Sequence, residues 1–165
     1  MRVFIGGEFS GVIREAFRKQ GHDAWSCDKL PAEDGSKHHF QDDLRDVLRF
    51  GPRNWDLEIY HPDCTYHTNA SVRWFTTIPD KPKPTVAYGE DRWLEWQKAM
   101  EFFKFCQGRR RFCKRVVVEN PIMHKYSREG ARGSSGVGRP TQIIHPWQFG
   151  HKEMKATCLW EYGVP

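Results

Sequence analysis

Residues 2–21 read RVFIGGEFSGVIREAFRKQG. Arg2 to Ile5 is a short apolar run ended by Gly6 and Gly7, which reads as a strand closed by a turn. Ser10 is a residue type that caps helices, and Val12, Ile13, Ala16 and Phe17 recur at the spacing of one helical face. The predicted helix runs to Gln20, and Gly21 stops it. A strand, a glycine turn and a helix in succession open a βαβ unit. This predicts an α/β, Rossmann-like fold: a mostly parallel sheet with helices on both faces.

The alternation continues along the chain. Ala24 to Cys27 predicts a second strand ending at Asp28, and His39 to Gln41 a short third strand followed by Asp42 and Asp43. Leu44 to Phe50 reads as a helix, and Trp55 to Tyr60 as a fourth strand stopped by His61-Pro62. Pro79, Pro82 and Pro84 exclude regular structure from residues 67–90, which are expected to be mobile. Arg92 to Cys106 predicts a long helix burying Trp93, Trp96, Met100 and Phe103. Arg115 to Val118 is the fifth strand, capped by Glu119-Asn120-Pro121. Residues 124–139, rich in Gly, Ser and Arg, read as loop; two more strands are expected near Ile143-Ile144 and across Ala156 to Trp160. No repeat and no linker divides the chain, so one domain over residues 1–165 is expected.

A chain of 165 residues can bury a core without disulfide or metal staples. The net charge of +5 suits a polyanionic partner and equally a solvated basic surface. Five cysteines without a CxxC pair argue for a reducing compartment and against structural zinc. No run approaches the ~18 apolar residues of a membrane span, and MRVFIGGEFSG is not a signal peptide. A soluble, cytoplasmic protein with no membrane partner is expected.

Open α/β sheets bind ligands beyond the carboxyl ends of their strands. There the sequence puts Gly6-Gly7, Asp28, Asp43, Cys64 and Glu119. The Phe4 to Gly11 segment either lets a ligand approach the backbone or is only a tight turn. Asp28 suits ribose hydroxyls or is a solvated strand end. Cys64, two residues after Pro62, brings a thiol to the rim, where its thiolate is a nucleophile; the alternative is a buried, inert cysteine. Glu119, directly after three valines, is a carboxyl suited to proton donation or a structural cap. His61, Cys64 and His67 are metal-ligand types, but no metal site is expected from that spacing. Arg109, Arg110, Arg111, Lys114 and Arg115 either contact phosphates or complement a helix dipole. Lys81 and Lys83 sit where a lid over substrate would close.

Pro62-Asp63-Cys64 resembles the Pro-Cys motif of the cytosine-C5 DNA methyltransferase family, and Glu119-Asn120-Pro121 its Glu-Asn-Val motif. Phe4 to Gly11 resembles its glycine motif, and order and strand context agree over residues 1–123. The whole chain also resembles small phage and prophage methyltransferase-like proteins, whose tails are similar to Trp147–Gly150 and Lys155–Trp160. The resemblance implies an S-adenosylmethionine-dependent enzyme. Phe4, Gly6, Gly7, Ser10, Gly11 and Pro62 would line the cofactor, with Asp28 on its ribose and Asp43 on its adenine. Cys64 would add to C6 of a flipped-out cytosine while Glu119 engages N3. Asn120, with Arg128 or Arg132 and Arg139 for the family's Arg-x-Arg element, would contact the substrate. The implied partner is DNA, with RNA open, and the implied location a bacterial cytoplasm.

The chain departs from that family in four places. Asp63 stands where the family has a second proline, Thr65 where it has glutamine, and Pro121 where it has valine. The stretch after the fifth strand is too short for a target-recognition domain, so sequence-specific binding would need a homodimer, a protein partner or very limited contacts. A catalytically inactive nucleic-acid- or protein-binding module on the same scaffold is the alternative, and an amino-methyltransferase a third reading.

Overall fold

The structure is a computed structural model that describes residues 1–165, the Ser71 side chain excepted. The strands are β1 (Arg2–Gly6), β2 (Asp23–Asp28), β3 (His39–Gln41), β4 (Leu57–Tyr60), β5 (Val116–Pro121), β6 (Gly130–Ala131), β7 (Ser134–Ser135), β8 (Gln142–Ile144) and β9 (Thr157–Tyr162). The helices are α1 (Val12–Lys19), α2 (Leu44–Phe50), α3 (Gly89–Gly108) and α4 (Lys125–Glu129), with 3₁₀ turns at Asn69–Phe75, Arg109–Arg111 and Pro146–Phe149. Seven strands form one sheet in the order β3-β2-β1-β4-β5-β9-β8, parallel from β3 through β5, with β8 antiparallel to β9. The protein is therefore α/β with a mostly parallel sheet, as the alternating pattern requires.

The chain groups into two compact units. The first comprises Met1–Pro62, Gln107–Glu119 and Glu161–Pro165. In β1, Val3 and Ile5 point to one face and meet Ala24, Ile13, Phe17, Leu57 and Ile59. The alternate residues serve the other face: Phe4 packs on Trp55 at 5.2 Å and Tyr60 at 6.3 Å between ring centroids. On that face Leu44 of α2 lies against Gly6. Thus α1 and α2 cover opposite sides of β1. The second unit, Asp63–Cys106 with Asn120–Trp160, is built on the aromatic face of α3. Trp93, Trp96, Met100 and Phe103 are buried as the spacing predicts, and Phe75 and Trp160 pack on them.

Several local expectations are corrected. Helix α1 starts at Val12 with Gly11, not Ser10, at its N-cap position, in a left-handed conformation. The Glu8 carboxylate takes the N–H groups of Ile13 (2.6 Å) and Arg14 (3.2 Å), so a longer side chain from two residues upstream replaces the serine cap. Val12 and Ala16 are exposed, while Arg14 is buried. Glu119-Asn120-Pro121 lies inside β5 rather than after it. Residues 67–90 contain the 3₁₀ turn Asn69–Phe75, and residues 124–139 contain α4 and the β6–β7 hairpin.

Candidate functional site

Strand register sets the site of the first unit. Gly6 pairs with Cys27 and with Tyr60, and Tyr60 with Val118. One residue further along each strand brings Gly7, Asp28, His61 and Glu119 onto a single row at the carboxyl edge. This row straddles β1 and β4, between which the strand order reverses direction, the place where open α/β sheets bind ligands.

Gly7 has φ +80°, and a Cβ there would lie 2.5 Å from the His61 carbonyl oxygen. Only glycine admits this approach. The turn is held by Gly7 N–H on the Cys27 carbonyl (2.8 Å) and His61 N–H on the Gly6 carbonyl (2.9 Å). Over it opens a cavity of about 300 Å³, lined by Gly7, Glu8, Phe9, Ser10, Val12, Ile13 and His61. Of the residues expected to line a cofactor, Gly7 and Ser10 face this cavity. Phe4 is fully buried beneath the turn, Gly11 forms the start of α1, and Pro62 is buried behind His61.

The rim is acidic. Asp28 is half-buried and accepts the Leu30 N–H at 3.0 Å. Asp43 caps α2 by accepting the Arg45 N–H at 2.9 Å and pairs with Lys29 at 3.0 Å. The Arg45 N–H, then Lys29, holds its carboxyl below the usual range. Burial, reinforced by the charges of Asp28, Asp42 and Asp43, pushes the Cys27 thiol up to about 12. Its neighbours therefore bring those three carboxylates together around β2 and β3.

His61 escapes a reading of residue types alone, which sees in it only a metal-ligand candidate. Its Nδ1 meets Glu119 Oε2 at 3.1 Å, while its Nε2 is buried with no hydrogen-bond partner among the described residues. A carboxylate on Nδ1 fixes the tautomer with the proton there and leaves Nε2 as an acceptor. Register could have found it, since the residue after β4 must stand beside the residue after Val118.

In the second unit Cys64 is half-buried, while the other four cysteines are buried thiols. Its carbonyl accepts N–H groups of His67 (3.0 Å) and Thr68 (3.3 Å). Two buried cationic or basic side chains pin the residues that follow. Arg92 donates to the Thr65 carbonyl at 3.0 Å, and His124 Nε2 bonds the Tyr66 carbonyl at 2.8 Å. Asp63 accepts both the N–H (2.8 Å) and the hydroxyl (2.6 Å) of Thr65. Asn120 is buried in β5. Arg132 is engaged by Glu90, with one contact of 2.9 Å, and stacks on Trp93 at 4.4 Å; Arg128 is half-buried in α4 and Arg139 is exposed. Among the described residues no group of three or more His, Cys, Asp or Glu side chains is placed to hold a metal. No helix is long and apolar enough to cross a membrane.

The polar network behind Cys64 gives a pH dependence. His67 is fully buried, with Nδ1 on Ser127 Oγ at 2.9 Å, and Trp96 donates to the same hydroxyl at 2.9 Å. Burial first, then the nearby His124, lowers His67 to about 4. Between its ordinary value of ~6.5 and about 4, the unfolded chain binds a proton that the folded chain refuses. Stability present above pH ~6.5 is therefore lost as pH falls to about 4, by ~3 kcal/mol from this residue. Urea midpoints between pH 7 and 4 should fall accordingly, and His67→Gln should flatten the profile. An unchanged profile in the variant would refute the assignment.

No family model, curated protein or solved structure matches this chain, and its function has to be read from the site itself.

Proposed function

We propose that the chain is a minimal S-adenosylmethionine-dependent cytosine-C5 methyltransferase acting on DNA. The observation that carries this reading is the electrostatics of the crevice between β1 and β4. A dinucleotide places its pyrophosphate on the free N–H groups of the first helix. Here Glu8 already occupies those of Ile13 and Arg14, and Asp28 and Asp43 add negative charge along the rim. Such a crevice disfavours phosphate and favours an adenosine ligand bearing a sulfonium and an ammonium group. The Gly7 turn and the cavity over it suit close approach of that ligand, with Asp28 toward its ribose.

When bound, the cofactor supplies an electrophilic methyl group. The chain's own groups do the rest. The Cys64 thiolate bonds to cytosine C6, which moves electron density toward C5. Glu119, protonated on the oxygen that His61 does not hold, would pass that proton to N3 as the density develops. His61 Nδ1 holds one carboxyl oxygen of Glu119, which fixes the carboxyl's orientation and leaves its other oxygen for the base. The C5 proton then leaves to water, the N3 proton returns to Glu119 and the carbon–sulfur bond breaks, which restores the aromatic ring and the thiolate.

A non-catalytic binding module is favoured by one feature. The Asp63 carboxylate, one residue before Cys64 in the chain, is held by Thr65, and a negative charge near the thiol opposes thiolate formation. Calorimetry separates the readings. S-adenosylmethionine should bind wild type, NAD should not, and Asp28→Ala should weaken the former about tenfold, the scale of one lost hydrogen bond to a ribose. No heat with S-adenosylmethionine would leave only the module.

A further inference from the structure

The end of the sheet opposite the candidate site carries the reverse charge. Six cations, Arg49, Arg53, Arg110, Arg111, Lys114 and Arg115, are exposed there, and none forms an ion pair among the described residues. Their backbones are contiguous. The Arg53 guanidinium donates to the Arg49 carbonyl at 3.1 Å, and Arg2 of β1 donates to the Arg53 carbonyl at 2.8 Å. The Cys113 thiol contacts the Trp55 carbonyl at 3.2 Å, which seats Lys114 and Arg115 beside the segment carrying Arg53. Arg2 and Gly6 are four residues apart along β1, about 13 Å at ~3.3 Å per residue. The cation-rich edge and the acidic rim are thus separated by the length of the parallel strands.

Helix dipoles account for only part of this charge. Arg49 ends α2 and Arg109–Arg111 follow α3, where cations complement the dipole. Arg53, Lys114 and Arg115 lie in connecting segments with no helix end to complement. The acidic groups of this edge are largely engaged: Glu58 with Arg109 at 2.7 Å, Asp23 with Arg2 at 3.5 Å, and Asp56 with the Arg2 N–H at 2.7 Å.

Two aromatic rings stand among the cations. Phe50 is 75% and Phe112 78% exposed, although both are large apolar side chains. Each has a guanidinium at 5.0 Å from its centroid, Arg49 for Phe50 and Arg109 for Phe112. Exposed rings among solvent-facing cations are the elements of a single-strand surface: cations follow the phosphates, and unpaired bases stack on the rings. Bases within a duplex offer no such faces. We infer that this edge of the first unit, at the amino ends of β1, β4 and β5, binds single-stranded nucleic acid. The inference goes beyond the catalytic reading and does not depend on it.

Fluorescence anisotropy with labelled oligothymidylate tests it, using the Cys64→Ala chain without cofactor so that chemistry plays no part. The unaltered edge should bind with an affinity that falls as salt rises. Arg110→Glu combined with Arg111→Glu and Lys114→Glu should weaken binding at least tenfold. It should also make the log–log salt slope shallower by about 2, at ~0.7 per phosphate contact for single strands. Phe50→Ala with Phe112→Ala should weaken binding about tenfold while leaving the salt slope unchanged. All five positions are exposed, and melting curves should match the parent. Unchanged binding in the charge variant would overturn the inference. So would tighter binding to duplex than to oligothymidylate with the phenylalanine variant unaffected, which would mean simple backbone attraction. Binding to phosphatidylglycerol vesicles but not to oligothymidylate would overturn it in favour of a lipid surface.

Discussion

Replacing Cys64 with alanine is expected to abolish methyl transfer to cytosine-containing DNA, by about 10⁴-fold or more, the scale on which losing a covalent nucleophile lowers turnover. Affinity for S-adenosylmethionine should stay within about twofold, because the residues proposed to hold it belong to the Gly7 turn and the ends of β2 and β3. No other thiol can stand in. Cys27, Cys106, Cys113 and Cys158 are buried, and burial raises both Cys27, to about 12, and Cys113. Cys64→Ser should be almost as inactive, since an alkoxide is far less accessible than a thiolate near neutral pH. DNA containing 5-fluorocytosine adds a positive readout. Its C5 fluorine cannot leave as a proton does, so wild type should form a covalent complex stable to denaturation and the variant none. Methylation by Cys64→Ala at the wild-type rate would remove the cysteine from the mechanism.

The strands and the glycine turn are legible in the sequence because each is a local pattern. Short, mainly apolar runs followed by Gly, Asp or His-Pro mark β1, β2 and β4, and Asp43 before Leu44, Val47 and Leu48, apolar at helical spacing, marks α2, whose bounds are as expected. What escaped depends on partners far along the chain. Arg14 looks like a solvated helix residue, yet it is buried because Asp34, Glu15 and Ser26 meet its guanidinium. Glu8 looks like a turn residue until α1 is seen to begin at Val12, which puts its carboxylate over the helix start. The five residues of α4 are too few to show a helical period. In the site, the row of strand ends was legible, but the contact of His61 with Glu119 follows from register, which neither residue's neighbours encode. The basic run 109–115 looks uniform, whereas its first member turns inward.

That inward turn supports the largest expected loss of stability. Glu58 is 1% exposed in β4, and its carboxylate accepts from Arg109 Nε at 3.0 Å, Arg109 Nη2 at 2.7 Å and the Tyr60 hydroxyl at 2.7 Å. Every oxygen is satisfied, and the fork of the guanidinium is matched by both carboxylate oxygens. Glu58→Ala would strand a guanidinium whose side chain is only 15% exposed, and it would deprive a buried hydroxyl of its acceptor. Removing one partner of a buried pair costs about 3–5 kcal/mol. The residual exposure of Arg109 puts this case near 3, a fall in Tm of about 6–12 °C for a chain of this size. The loss should depend little on salt, unlike that of a surface pair. The double variant Glu58→Leu with Arg109→Met should recover much of it, because no charge is then left buried. If Glu58→Ala lost less than about 1 kcal/mol, water would be reaching Arg109. The first arginine of the run would then belong to the exposed cations of the edge rather than to the interior of the sheet.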